Sequence, residues 1–431
     1  MVIFVILIIL VSCVSGILLL SRALPVGFKY WNLLSFQYLC QCVFLVVPGA
    51  IAILLGVRND LALQPVSENT IYFTSYLIAW CVFAFPATIV FLDLMFNQKI
   101  YDLIVEYKQK DFVHYNKYKT TKSNVVIISV INTILLLIFL ALLPVIPILH
   151  IGAGSEFIMN SRIESAFDLP GWVYGFRRVL VYFLPIFLLY ILAIKKYINI
   201  PKWVMYLNVF NAAVILGYST EKAPLLYLIL SIFFLKNTFK DYSLSFGRLI
   251  PIAGGLFIIL FMMFLFFYNN ELNQVLELLS ARLFIAQVAG SYLSVEYYGA
   301  IEPFKYFDAI LFRLDGLLGN IPTMQASEEL VKYYYPDLYN NNLWKNVNSF
   351  IIQGAWADFG LVGVIVAPIW CAAIIYFCCV YIYKREKTAS NLAIYSYSAI
   401  FMVSLSTNFN NFIYSSGFLL TLLIWMFLKK L

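Results

Sequence analysis

Apolar residues in this chain gather into long, nearly uninterrupted runs with polar stretches between them. The periodicity is that of helices that are apolar all round, not of one-faced helices or alternating strands. Eleven runs read as membrane spans, at about 2–20, 35–56, 71–93, 124–149, 178–194, 203–219, 223–235, 249–268, 351–383, 391–406 and 412–428. Most reach the roughly 18 residues that cross a bilayer core. The seventh is short and leans on its neighbours, and the ninth is long enough to include a tilted or re-entrant entry. The first run lacks a basic leader segment and a small-residue cleavage site, so it reads as a retained span.

The predicted fold is therefore all-α, a polytopic membrane helix bundle of about eleven spans. It divides into spans one to eight with an outer loop at 150–178 (residues 1–268), a large partly helical outer loop (269–349), and spans nine to eleven (350–431). Composition agrees: 63% of residues are hydrophobic and only 12% charged, more apolar surface than a soluble domain of 431 residues can bury. Aromatic residues, 18% of the chain, crowd the run ends, where rings anchor at the interface.

Charge orients the bundle. Nineteen basic and six acidic residues fall on one set of loops, with the remaining ten basic and sixteen acidic on the other, and no loop breaks the alternation. The basic side is cytoplasmic, which leaves the N-terminus outside and the C-terminus in the cytoplasm. The net +7 is thus a topology signal and not a nucleic-acid footprint. All seven cysteines fall inside apolar runs as small packing residues, and with two histidines in the chain a metal centre is not expected.

Candidate chemistry lies on the outside, because the cytoplasmic loops are short and hold no phosphate-binding glycine loop. Outer cations run against the topological trend. Arg162, Arg177, Arg178, Arg282 and Arg313 offer donor forks suited to phosphate, and Lys222 follows the tight turn "GYSTEK" at membrane depth. Arg282 and Gln287 share a predicted helix. Five residues apart, they meet one ligand only if that helix ends or bends, which Gly290 could allow. The stretch "YYYPDLYNNNLWKN", with Tyr334 and Trp344, suits sugar rings, which present a C–H face and a rim of hydroxyls. It suits an interfacial aromatic belt equally. His150 could act as a base at neutral pH, with Asp168, Asp315 and Asp358 as alternative carboxylates. The segment "NSFIIQGAWADFGLVG" enters the ninth span with Asn348, Gln353 and Asp358 beside three glycines, Asn348 and Gln353 at the mouth and Asp358 deeper.

Taken together, the outer arginine loop with Arg162, the Gly-x-Ser-Thr turn before Lys222, Arg282 with Gln287, Asn348 with Phe350, and Asp358-Phe359-Gly360 with Gly363 resemble the Wzy-type O-antigen polymerases of bacterial inner membranes. The resemblance spans most of the chain in layout, through short motifs, and Lys222 stands where arginine is commoner. It implies a GT-C-like glycosyltransferase, active on the periplasmic side, that passes a growing glycan from undecaprenyl pyrophosphate to a second lipid-linked repeat unit. It implies no nucleotide sugar, no cofactor and no metal, and a chain-length regulator protein as a partner. Arg282 then joins His150, Asp315 or Asp358 in catalysis. Arg162, Lys222, Arg177, Arg178 and Arg313 hold pyrophosphate, and Gln287, Asn348, Tyr334 and Trp344 hold sugar. An O-antigen ligase shares these features. A lipid-linked oligosaccharide flippase fits less well, since almost no charge lies mid-span.

Overall fold

A computed structural model describes the chain except residues 25–29, 114–117, 151–154, 167–168, 241–250, 252–253, 256–257, 259–260, 263–278, 307–323, 342, 402–403, 406–408 and 414. The described residues are helical, with no strand among them. Among the described residues seven helices are long and apolar enough to cross a membrane. They are α1 (Val2–Ala23), α2 (Leu33–Leu54), α3 (Glu68–Phe96), the apolar part of α5 (Tyr118–Ala141), α7 (Gly171–Ile194), α13 (Ile352–Lys384) and the closing run Phe409–Lys430. Apolar helices α8 (Lys202–Gly217) and α9 (Lys222–Asn237) match the sixth and seventh predicted spans but are shorter. The eighth predicted span lies mostly outside the described residues, and the tenth appears as a 13-residue helix, α14 (Ala389–Phe401). Helix is what a chain in lipid must form, because each backbone donor and acceptor is then paired within its own segment.

The chain separates into two compact units. The first takes Met1–Ile104, Phe246–Tyr381 and Val403–Ser415; the second takes Val105–Ser245, Ile382–Met402 and Ser416–Leu431. In the first unit α1 packs along α3, and both starts of its neighbouring helices are capped. The Asn32 side chain accepts from Ser35 N (2.9 Å) ahead of α2, and Ser67 accepts from Thr70 N (3.4 Å) ahead of α3. Such caps satisfy donors that a helix start leaves open. The middle of α2 is π-helical, Gln37–Val46, and the buried Gln41 side-chain carbonyl accepts from Leu405 N and Ser404 Oγ (3.4 Å).

In the second unit α14 and α8 pack on α7, and α5 packs on α8. Leu136, Phe139, Leu184, Leu188 and Ile215 fill the core. Two amides one turn apart on α8 reach two hydroxyls one turn apart on α5. Asn208 Nδ2 donates to Ser129 Oγ (2.7 Å) and Asn211 Nδ2 to Thr133 Oγ1 (2.9 Å). Between apolar helices in lipid such bonds fix register, since hydrophobicity alone does not choose a rotation.

Candidate functional site

The first unit brings together two segments that lie far apart in sequence. Arg282 sits on a π-helical turn, Ala281–Ile285, which leads into α10 (Ala286–Tyr297). The expected bend at Gly290 is not what aligns Arg282 with Gln287. The π turn does it: a wider turn closes after five residues instead of four. Gln287 Nε2 accordingly donates to the Arg282 carbonyl at 3.2 Å. Arg282 is exposed and Gln287 half-buried.

Gly290 has a different task. Its N–H donates to the Asn348 carbonyl at 3.0 Å, and a Cβ there would lie 2.6 Å from that oxygen. The 348–353 segment packs onto α10 through the missing side chain. Ser294 Oγ donates to Gln353 O (2.9 Å), and Phe350 N donates to Ser291 Oγ (3.3 Å). Ser349 Oγ donates to Gln353 Oε1. Gln353 is therefore buried in the joint, not at its mouth, whereas Asn348 remains exposed beside it.

α13 begins at Ile352 and breaks at Phe359 (φ −135°, ψ 15°) and Gly360 (φ 57°, ψ −137°). The break frees carbonyls that a continuous helix would use, and neighbouring chain takes them. Lys305 N donates to Ala357 O and Tyr306 N to Asp358 O, each at 2.8 Å. The Phe304 ring fills the space beside the break, 2.7 Å from where a Gly360 Cβ would stand. Positive φ and this contact both call for glycine. Asp358 is fully buried at the break.

Further polar groups that sequence reasoning did not single out surround this joint. Lys305 Nζ pairs with Glu329 Oε2, which also accepts from Tyr298 OH (3.2 Å), and Trp356 Nε1 donates to Tyr298 O (3.0 Å). Burial, with the Glu329 carboxylate beside it, pushes the Tyr298 hydroxyl well above the usual tyrosine range. Glu329 gave no signal, since its partners are 24 and 31 residues away.

The aromatic stretch folds as α11 (Ala326–Tyr334) and α12 (Pro336–Asn340). Tyr334 stands against Tyr297 (5.8 Å between ring centroids) and Tyr333 (5.0 Å). Burial first, then Glu296, pushes its hydroxyl up to about 12. Trp344 lies 5.1 Å from the Tyr335 ring and donates to Asn346 O at 2.9 Å. Tyr297, Tyr333 and Tyr334 form one packed group, with Tyr333 half exposed on it.

The remaining candidates fall in the second unit. Arg177 on α7 lies over the Tyr218 ring, 5.8 Å from its centroid, at the turn that precedes α9. Thr220 makes that turn at φ 59° and donates N–H to Gly217 O (2.9 Å). Lys222 is the first residue of α9; its side chain lies outside the described residues. Arg178 is half-buried one residue on from Arg177, and Arg162 is half-buried on α6 (Ser155–Ala166). His150 is exposed at the end of a short 3-10 turn, 5.1 Å from the Phe157 ring. Arg313, Asp315 and Asp168 lie outside the described residues. Among the described residues no group of three histidine, cysteine or acidic side chains is placed to hold a metal ion. All seven cysteines are free thiols, five of them buried.

No protein-family model matches the chain, and no curated protein and no solved structure matches it.

Proposed function

We propose that this protein is a membrane glycosyltransferase that polymerises lipid-linked oligosaccharide repeat units. It works on the periplasmic side of a bacterial inner membrane, with its N-terminus outside and about eleven spans. One observation carries the reading. Two of the stretches on which the resemblance rests, Arg282–Gln287 with the helix it leads into and Asn348–Gly363, pack together through Gly290, with Arg282 and Asn348 exposed and Gln287 half-buried. An exposed cation with amides beside it is the equipment for a phosphorylated sugar.

In the reaction an acceptor-sugar hydroxyl attacks the anomeric carbon of the donor glycan. The new C–O bond forms as the bond from that carbon to the pyrophosphate oxygen breaks. The electron pair leaves with undecaprenyl pyrophosphate, and the hydroxyl proton passes to a base. Arg282 stabilises the charge that grows on the leaving oxygen, a role for which a fixed donor is worth about 10²–10³ in rate. Asn348 and Gln287 hold sugar hydroxyls. Asp358, buried at the helix break, holds the joint in shape instead of meeting substrate.

The experiment is replacement of the gene by an Arg282→Ala allele, read as lipopolysaccharide banding on a gel. The reading predicts loss of the long ladder with single-repeat product retained. A normal ladder would sink it, and loss of all glycan from the core would point to a ligase or flippase.

A further inference from the structure

At one end of the second unit, lysines converge on a single buried tyrosine. The segment that ends α4 (Ile100–Gln109) lies against the chain that links α13 to α14. Lys387 Nζ donates to Lys108 O (3.1 Å) and Lys110 O (3.4 Å), and Val113 N returns a bond to Lys387 O (3.1 Å). The Lys387 and Lys110 ammoniums lie 5.7 and 6.0 Å from the Tyr107 ring centroid. Lys387 and Lys108 are 2% and 6% exposed. Lys110, Lys196 and Lys240 are exposed around them. Tyr197 stacks on Phe112 at 4.2 Å, and Lys196 lies over Phe239 at 5.4 Å, which ties the ends of α7 and α9 to the same place.

Capping explains one of these charges. An ammonium at carbonyls that end a helix is well placed. It does not explain why three further lysines, Lys240, Lys108 and Lys196, act on Lys387, with Asp111 the one acid among the described residues that does so. Lys387 meets only neutral carbonyls, and Asp111, the carboxylate that acts on it, is already bound to Lys240 at 2.8 Å. Burial, reinforced by Lys240, Lys108 and Lys196, pushes the Lys387 ammonium down to about 8. The Tyr107 hydroxyl, 1% exposed, has no hydrogen-bond partner among the described residues. Like charges packed at a buried group favour a counter-anion, since each cation otherwise raises the cost of the next.

We propose that this cluster is a phosphate-binding site, with Lys387, Lys108 and Tyr107 as its floor and Lys110, Lys196 and Lys240 as its rim. A phosphate's several oxygens accept from several point-charge donors at once, which is the use lysine is suited to. Two sources share this chemistry. One is the head group of an anionic phospholipid, which the charge-derived orientation would put in the cytosolic leaflet. The other is free phosphate. Neither depends on the glycan reaction.

The test uses the full chain in nanodiscs and reads its thermal midpoint at constant ionic strength. One arm compares phosphatidylcholine discs with discs containing phosphatidylglycerol. The other titrates inorganic phosphate against phosphatidylcholine discs. The rim variant is Lys196→Gln with Lys240→Gln, which leaves the Lys387 cap in place. The control variant is Lys429→Gln with Lys430→Gln, which removes equal charge elsewhere. A rise of several degrees with phosphatidylglycerol identifies the head group, and one with phosphate identifies the free ion. In either case the rim variant should lose most of the rise and the control variant should keep it. No rise in either arm, or equal losses in the two variants, overturns the proposal.

Discussion

The joint of the first unit and the lysine cluster of the second both place polar groups where little water reaches, and they solve the problem in opposite ways. At the joint, polarity is mostly backbone. A helix is broken, and the carbonyls of Ala357 and Asp358 are taken by Lys305 and Tyr306 of a neighbouring segment. The charges near it come as a pair, Lys305 with Glu329. In the lysine cluster the helix is intact, and the polarity is mainly charge of one sign, with Asp111 held by Lys240. A dipole can be satisfied by a second dipole from the same chain, whereas a set of like charges needs a partner of opposite sign. The freed carbonyls of the joint are therefore answered within the chain, and the cluster is built to receive something.

The sharpest way to break the contrast is at Gly360. Gly360→Val forces a branched residue into positive φ against Phe304. Strain of about 1–3 kcal/mol and overpacking of a similar size should add, and thermal unfolding should show a large fall in midpoint. An unchanged midpoint would mean the break is not required. Gly290→Val should cost less, about 1–3 kcal/mol of overpacking against the Asn348 carbonyl, because the helix there is regular. On the proposed function it should also shorten the polysaccharide ladder, and a stable variant with a full ladder would separate the joint from activity. Tyr298→Phe removes one hydrogen bond to Glu329 while Lys305 keeps the carboxylate paired. About 1–2 kcal/mol is expected from denaturant or thermal melts. Arg58→Ala breaks an exposed bridge to Glu68 and should cost under about 1 kcal/mol, the scale against which the others are read.

The cluster gives a pH test with a definite sign. Lys387 titrates at about 8 in the folded chain, below the ordinary lysine value of about 10.4. Between those values the unfolded chain binds more protons, so this group's contribution to stability rises with pH across the window. Below about 8 both states carry the charge and the penalty is constant. Melts from pH 7 to 10 in neutral lipid, without phosphate, should show that rise in the parent and a flatter profile in Lys387→Gln. Parallel profiles would remove the like-charge account of the cluster.

Much of the membrane architecture was legible in the runs themselves, because length and apolarity are local properties. Seven predicted spans stand as long apolar helices and two as shorter ones. The tenth is described only over α14, Ala389–Phe401, shorter than a full span. At the site, Arg282, Gln287, Asn348 and Gly360 were visible as residues but not as a group. The alignment of Arg282 with Gln287 needed a π turn, and no residue pattern in "ARLFI" announces one. The burial of Gln353 depended on α10, and an amide beside glycines reads the same in sequence whether it faces ligand or neighbour.

What this sequence determined alone is that its chain is helical and apolar enough to span a membrane repeatedly. Those follow from side-chain transfer and from backbone satisfaction within each segment. The tertiary structure decided which polar residues would be dipoles answering one another and which would be left facing like charge. That choice depends on segments distant in the chain: 302–306 for the helix break, and 385–388 for the lysines around Tyr107.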